Sequence, residues 1–352
     1  MRRTGLSMRS TRATAAVLPT RPSDAELAAA EFLLRPWEWL TAPKFYGLER
    51  VPTDRPFLLV GNHTLMGLLD VPLMVLGLYA RRGIFVHSLG DHVHFRVPLW
   101  RDLLSRFGTV DGTPDNCRTL MRAGASILVF PGGGREVFKR KGERYQLLWK
   151  QRMGFARLAV EYGYAIVPFA AVGAEECYDI LIDGDELLKT PLGPAIERLA
   201  PRADEIPPLV RGIGLSPLPR PERFYFHFGK AIETRPFTGR QEDETLCFAV
   251  REQVREAVER GIAFLLNERR RDPDRDFSSR LLRRLSSLGR AFPLAAGGPL
   301  SAARPPKRRS AQRQPGASRP RADNAARHDR QRPADRRRFA PSRSARRLST
   351  PV

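Results

Sequence analysis

Three things are scarce in this chain. Lysine appears seven times among 60 basic residues and cysteine three times, and no apolar run approaches the roughly 18 to 20 residues that cross a bilayer as a helix. The longest apolar region, residues 71–79, has Pro72 inside it. Cys117, Cys177 and Cys247 lie far apart with no metal-ligand spacing, which argues against a disulfide framework and a zinc site and suits a reducing compartment. No Gly-Lys-Ser/Thr follows a glycine-rich loop, so there is no Walker-type phosphate loop, and no G-x-S-x-G nucleophile elbow is present.

Charge is plentiful but unevenly placed. The formal net charge is +22, and residues 301–352 hold 16 Lys and Arg against three acids, so more than half of it belongs to the tail. That tail has Phe339 as its one aromatic residue and too little apolar surface to offset the entropy of ordering, so it reads as disordered. Arginine-rich tails bind phosphate backbones without sequence preference. Nothing here interleaves aromatics for base stacking, and nucleic acid is not the partner expected. A GC-rich genome accounts equally well for the excess of Arg over Lys. The first 22 residues carry five Arg and no acid, yet lack the apolar centre of a secretory signal.

Between these ends, apolar runs alternate with helical patterns. A Ser23/Asp24 capping signal opens "SDAELAAAEFLLRPWEWL" as a helix, where Trp37 and Trp39 suit either a core or a lipid headgroup layer. "PFLLVGNH", "GIFVHSL", "GTVDG", "ASILVFPGGG", "YAIVPFAAVG" and "RFYFHFGKAIE" read as strands. Helices are expected over residues 71–81, "PLWRDLLSRF", "PDNCRTLMRAG", "YQLLWKQRMGFARLAVEYG" and the long "QEDETLCFAVREQVREAVERGIAFLLNERRR". Strands spaced by helices imply an α/β fold, a single domain with a mostly parallel mixed sheet covered by helices. The expected organisation is a loose N-terminus over 1–22, the domain over 23–271, a linker over 272–300 and the tail over 301–352. In the linker, Leu281, Leu282, Leu285, Leu288 and Phe292 form one stripe of a helix otherwise rich in Arg. Such a helix suits an anionic membrane surface or docking on the domain.

Three strands carry unusual residues near their ends. "VGNH" ends at Asn62 and His63, "VFPGGGRE" runs on from Pro131 to Glu136, and "IVPFA" contains Pro168. In a parallel sheet all three open on one rim, where ligands of such folds bind. A histidine there serves as a general base if an acid orients it and donors nearby hold an oxyanion; alone it is equally a core histidine. Gly132, Gly133 and Gly134 let backbone N–H groups approach a ligand, with the Arg135 cation behind them, and the same triplet also suits a plain tight turn. "GDHVHFRVP" offers Asp91, His92 and His94 as further site residues.

Taken together, "GNHTLMGLLD", "FPGGGRE" and "IVPFA", with "FYGLERVP" before and "FHFGKAI" after, resemble the glycerolipid acyltransferase superfamily across residues 45–232. The form of these blocks is closer to the branch of the phytyl ester synthases and type-2 diacylglycerol acyltransferase-like proteins than to the lysophosphatidate enzymes. The resemblance implies a glycerol-3-phosphate acyltransferase-like fold. It implies transfer of a fatty acyl group from acyl-CoA or an acyl carrier protein to a lipid hydroxyl, by a peripheral protein on the cytoplasmic face of a membrane, without cofactor or metal. It further implies His63 as catalytic base with Asp70 as its partner, and Asn62, Thr64, Gly132, Gly133, Gly134, Arg135 and Glu136 at the substrates.

Two departures shape these expectations. Six residues separate His63 from Asp70 where the superfamily has four, and Asp70 also precedes Val71-Pro72 at the start of a helical pattern, where it would act as an N-cap. "RFGTVDGT" has Gly112 or Thr113 where an Arg for a phosphate-bearing acceptor is usual. A neutral acceptor, diacylglycerol or a long-chain alcohol, is therefore expected ahead of lysophosphatidate or another lysophospholipid. A noncatalytic lipid-binding membrane adaptor on the same fold is the alternative class.

Overall fold

The computed structural model describes residues 21–199 and 206–291. The expectations for the N-terminal stretch up to residue 20, the Leu288 side chain, Phe292 and the basic tail lie outside the described residues. Strands follow the apolar runs: β1 (Lys44–Tyr46), β2 (Phe57–Gly61), β3 (His87–Gly90), β4 (Thr109–Asp111), β5 (Ile127–Val129), β6 (Ala165–Val172), β7 (Asp179–Ile182), β8 (Leu209–Arg211) and β9 (Tyr225–Phe228). Among the described residues seven of them form one sheet in the order β1-β9-β6-β2-β5-β3-β4, and β7 pairs with β8 apart from it. Every neighbour in the large sheet is parallel except β6 with β9. The expected mostly parallel α/β sheet is what the chain builds.

Helices cover both faces. They are α1 (Asp24–Thr41), α2 (Val71–Arg82), α3 (Pro98–Arg106), α4 (Pro114–Arg122), α5 (Gly134–Val137), α6 (Gly154–Tyr162), α7 (Gly184–Leu188), α8 (Gly193–Leu199), α9 (Glu244–Arg271) and α10 (Phe277–Ala291). Because strand side chains alternate, Leu58, Val60, Ile166 and Ala170 pack against α4, α6 and α9, while Phe57, Leu59, Val167 and Phe169 pack on the other face with α2 and α1. Burial on both sides explains why β2 and β6 read as unbroken apolar runs.

Local chemistry sets the helix ends. Ser23 and Glu26 form a reciprocal capping box at the start of α1. The helix expected from Tyr145 begins only at Gly154. Tyr145 and Lys150 take positive φ, and the Tyr145 and Leu148 N–H groups go to Glu175 and Glu136 instead of to a helix ladder. Residues 145–153 are thus an irregular strap. Pro168 lies inside β6, which continues four residues beyond it.

The domain also runs past Arg271, where its end was expected. Asp272 accepts from Tyr225 Oη at 2.8 Å and pairs with Arg223 and Lys44 at 2.9 Å. Arg280 is buried and donates to the carbonyls of Leu40 and Pro221, both at 2.6 Å. This docks α10 on the domain while Leu282 and Leu285 stay exposed. The tryptophans divide: Trp37 bonds through its indole N–H to the Leu69 carbonyl at 2.8 Å, whereas Trp39 is exposed and packs on Phe277 and Arg284 of α10.

Candidate active site

Strand β2 lies between β5 and β6, so the ends of the three open side by side. His63 comes two residues after β2 and stacks on Phe130, the residue after β5, with ring centroids 3.9 Å apart and planes 18° apart. The imidazole Nδ1 is covered and has no hydrogen-bond partner. The ring meets an apolar cavity through its other side. Burial, with Lys139 and His94 adding like charge, holds the imidazole down at about 3, so it is neutral throughout the physiological range. Gly67, at φ +61°, lies against the ring; a Cβ there would sit 2.4 Å from Cε1 of His63.

Buried charges hold the His63 backbone on both sides. Glu136 accepts the His63 N–H at 2.9 Å with one oxygen and the Leu148 N–H at 2.8 Å with the other. Lys139 Nζ donates to the His63 carbonyl at 3.3 Å and pairs with Glu175, which accepts the Tyr145 N–H at 2.7 Å. Burial pushes the Glu136 carboxyl up to about 7, against the opposing pull of Lys139 and the two N–H groups. Glu136 is fully buried, and both of its carboxylate oxygens are committed to holding the histidine turn and the strap.

Other residues expected at the substrates are likewise committed within the chain. Asn62 is buried and clamps β6, donating to the Ala171 carbonyl at 3.0 Å and accepting the Ala171 N–H at 2.9 Å. Thr64 donates to Asp70 at 2.9 Å. Asp70 makes no hydrogen bond to His63, because the long spacer winds through Met66 and Gly67 in left-handed conformations and brings the carboxylate to Thr64. Asp70 stands at the N-cap position of α2, yet its side chain makes no capping bond. Burial raises it to about 6, partly offset by the Thr64 hydroxyl. Arg135 pairs with Glu143 at 2.6 Å and fixes the loop.

The glycine turn is close-packed. A Cβ on Gly132 would meet Glu136 at 2.2 Å, and Gly133 takes φ +54° and donates its N–H to the Phe130 carbonyl at 3.0 Å. The Gly133 N–H is thus committed within the turn and is not free to hold an oxyanion. Arg152 latches this turn through the carbonyls of Pro131 and Gly132 at 3.0 and 2.8 Å. Among 53 arginines, no local pattern marks it.

The cavity beside His63 has a volume of about 370 Å³. Its walls come from α1 (Leu27, Ala30, Leu34), α2 (Val71, Val75, Leu76) and α3 with its cap (Leu103, Leu104, Phe107). Among the described residues, its polar side chains apart from the Trp100 indole are His63, His94, Ser88 and Thr109, and no Lys or Arg lines it. His94 accepts from Trp100 Nε1 at 3.2 Å, whereas His92 turns to Asp111 at 3.2 Å on the exposed side. Sequence reasoning missed α1 and α3 as walls. Their apolar stripes are visible, but a stripe does not say what it faces. Among the described residues no group of three His, Cys, Asp or Glu is placed to hold a metal ion.

Residues 42–172 match the Acyltransferase family, a span that takes in the His63 turn, the glycine turn and β6. The chain belongs to the acyltransferase superfamily. Phytyl ester synthase 1, chloroplastic, from Arabidopsis thaliana is 31% identical over 255 residues, covering 67% of this chain and 36% of its own length. The DGAT1/2-independent enzyme synthesizing storage lipids of Homo sapiens is 28% identical over 123 residues, 35% of this chain and 37% of its own. The chain thus spans little more than a third of the length of these curated relatives. Among solved structures, the 1-acyl-sn-glycerophosphate acyltransferase PlsC from Thermotoga maritima is similar at 18% identity and a TM-score of 0.37, over 69% of this chain and 83% of that one. Within the acyltransferase superfamily, the chain lies in the branch of the phytyl ester synthases.

Proposed function

We propose that this protein is an O-acyltransferase that moves a fatty acyl group from acyl-CoA or an acyl carrier protein to the hydroxyl of a neutral lipid, diacylglycerol or a long-chain alcohol. The observation that carries this reading is a neutral imidazole on the wall of an apolar cavity of about 370 Å³. The fatty chain fills the cavity, with its thioester beside His63. Nε2 of His63 takes the acceptor's proton as the oxygen adds to the thioester carbonyl. The intermediate then expels the thiolate, which leaves with the proton held by the ring. Gly134 offers its N–H to the developing oxyanion. Asp70 can stabilise the imidazolium only by leaving Thr64, so it contributes less than His63. The proposed chemistry needs no cofactor.

A neutral acceptor is favoured because among the described residues no Lys or Arg lines the cavity and the cations that follow the glycine turn are engaged: Lys139 with Glu175, Arg140 with Asp185, Lys141 with Glu186. Contact with the membrane is proposed to be peripheral and on the cytoplasmic face, supported by exposed Phe32 and Leu33 on α1 and Leu282 and Leu285 on α10. Among the described residues no helix is long and apolar enough to cross a membrane. The test supplies purified protein with labelled acyl-CoA or acyl carrier protein and a panel of diacylglycerol, long-chain alcohol, lysophosphatidate and lysophospholipid, read by lipid chromatography. Neutral acceptors are expected to be labelled first, and His63→Ala to lower turnover by about 10²- to 10⁴-fold without unfolding. A preference for lysophosphatidate overturns the acceptor; undiminished turnover in folded His63→Ala overturns the mechanism.

A further inference from the structure

Between β6 and β9 the chain leaves the large sheet for residues 174–223, which contain β7, α7, α8 and β8. Apart from Glu175 near its start, which pairs with Lys139, the proposed chemistry does not use this excursion. Its base is tied to the segment that follows the glycine turn: Arg140 to Asp185 at 2.7 Å, Lys141 to Glu186 at 2.7 Å, and Arg144 to the Tyr178 carbonyl at 3.0 Å. It therefore stands on the same rim of the sheet as His63. Beyond β8 the backbone folds into a turn closed by two hydrogen bonds of 2.8 Å, Gly212 N–H to Ser216 and Ile213 N–H to Leu218. At this tip Leu215 is 90% exposed, Leu218 63% and Ile213 51%, and Leu209 and Leu181 on the strands below are exposed as well.

We propose that this tip inserts into the headgroup boundary of a lipid surface and seats the His63 site over its lipid substrate. The proposal rests on the acyl-transfer reading of that site. A cluster of bare aliphatic side chains on one small turn marks a contact surface. This one carries no aromatic or charged residue from Ile213 to Leu218, and so lacks the anchors that dominate protein interfaces. Its backbone is also suited to a dry environment. Residues 207–221 include five prolines, each without an N–H, and the turn closes two more donors on itself, so few backbone groups lose water on entry. Below the tip Asp179 is shared by Arg144, Arg211 and Arg220, and Glu222 also faces Arg220. The surplus of positive charge sits where lipid phosphates would lie.

The test uses the full-length protein and the triple variant Ile213→Ser/Leu215→Ser/Leu218→Ser, sedimented with phosphatidylcholine–phosphatidylglycerol vesicles at low salt and at about 0.5 M salt. High salt screens the basic tail and leaves apolar insertion intact. Wild type is expected to stay on vesicles at high salt, while the ratio of bound to free triple variant falls on the order of tenfold or more. Thermal melting and turnover on a detergent-dispersed acceptor are expected to be unchanged. In a second variant, Leu215→Trp, fluorescence is expected to shift to the blue on vesicles and to be quenched by brominated lipid. Equal binding of wild type and triple variant at high salt, or no quenching of L215W, overturns the proposal. So does a lipid-free dimer that the triple variant loses, which would assign the tip to a second copy of the chain. Sedimentation needs no turnover: an inactive protein that still binds through the tip refutes the acyl-transfer reading and leaves this surface standing.

Discussion

His63 owes its state to its surroundings, and that can be measured directly. With its pKa held at about 3, the ring should show no titration by nitrogen-15 NMR between pH 8 and 5; a transition near 6.5 would contradict its burial. Asp70 and Glu136 move the opposite way, to about 6 and about 7. A carboxyl whose folded pKa is raised binds protons more tightly when folded, so its ionisation costs stability as pH rises through that window. Asp70→Asn removes the buried charge and keeps an acceptor for Thr64. It should stabilise the protein at pH 8 by about 1 to 3 kcal/mol, a gain that shrinks below pH 6 in chemical denaturation. Its loss of turnover should be smaller than that of His63→Ala. Gly67→Ala, whose Cβ would collide with the imidazole, should lower turnover by about 10²-fold because it displaces the base, and should also melt lower because φ is +61° there. His63 and the glycine turn were legible because such residue types are conspicuous at strand ends. Their partners were not: Asn62 reaches Ala171 and Lys139 reaches Glu175, and no local spacing announces either bond.

At the level of elements, β2, β6 and α9 were plain in the sequence because burial on one or two faces imposes a period. The strap over residues 145–153 was read as helix because its apolar residues suit one; what overrides that pattern is a pair of distant carboxylates taking its N–H groups. The excursion carrying β7 and β8 gave no periodic signal strong enough to place it. Glu136 couples strap and histidine turn through two acceptor oxygens, and glutamine has only one. Glu136→Gln should therefore cost about 1 to 3 kcal/mol by leaving a buried N–H against an N–H. Hydrogen exchange should speed at Leu148 or His63 before it speeds in β2, and uniform exchange across all three would contradict the coupling.

On the scale of the molecule, the end of α9 looked like the end of the domain because the amphipathic pattern stops there. Asp272 and Arg280 make contacts with residues 44, 223 and 225 and with the carbonyls of 40 and 221, which no window of sequence connects. A chain cut after residue 271 should melt lower by the loss of about 3 to 5 kcal/mol, since Tyr225 and Arg223 lose a buried partner. A chain cut after residue 291 should melt like the full protein, and equal melting of the two truncations would show those contacts to be dispensable. The sheet order also bears on how the protein is made. Strands β2 to β6 can pair among themselves once residue 172 has left the ribosome, but β1, though synthesised before them, lies parallel to β9 and must wait for residues 225–228. Until then β6 presents a bare edge to any neighbouring nascent chain, and the face holding Ile166 and Ala170 stays uncovered until α9 emerges. Strand β1 thus leaves the tunnel well before β9 yet finds its place only with it, and the interval between them is when this chain most needs a chaperone.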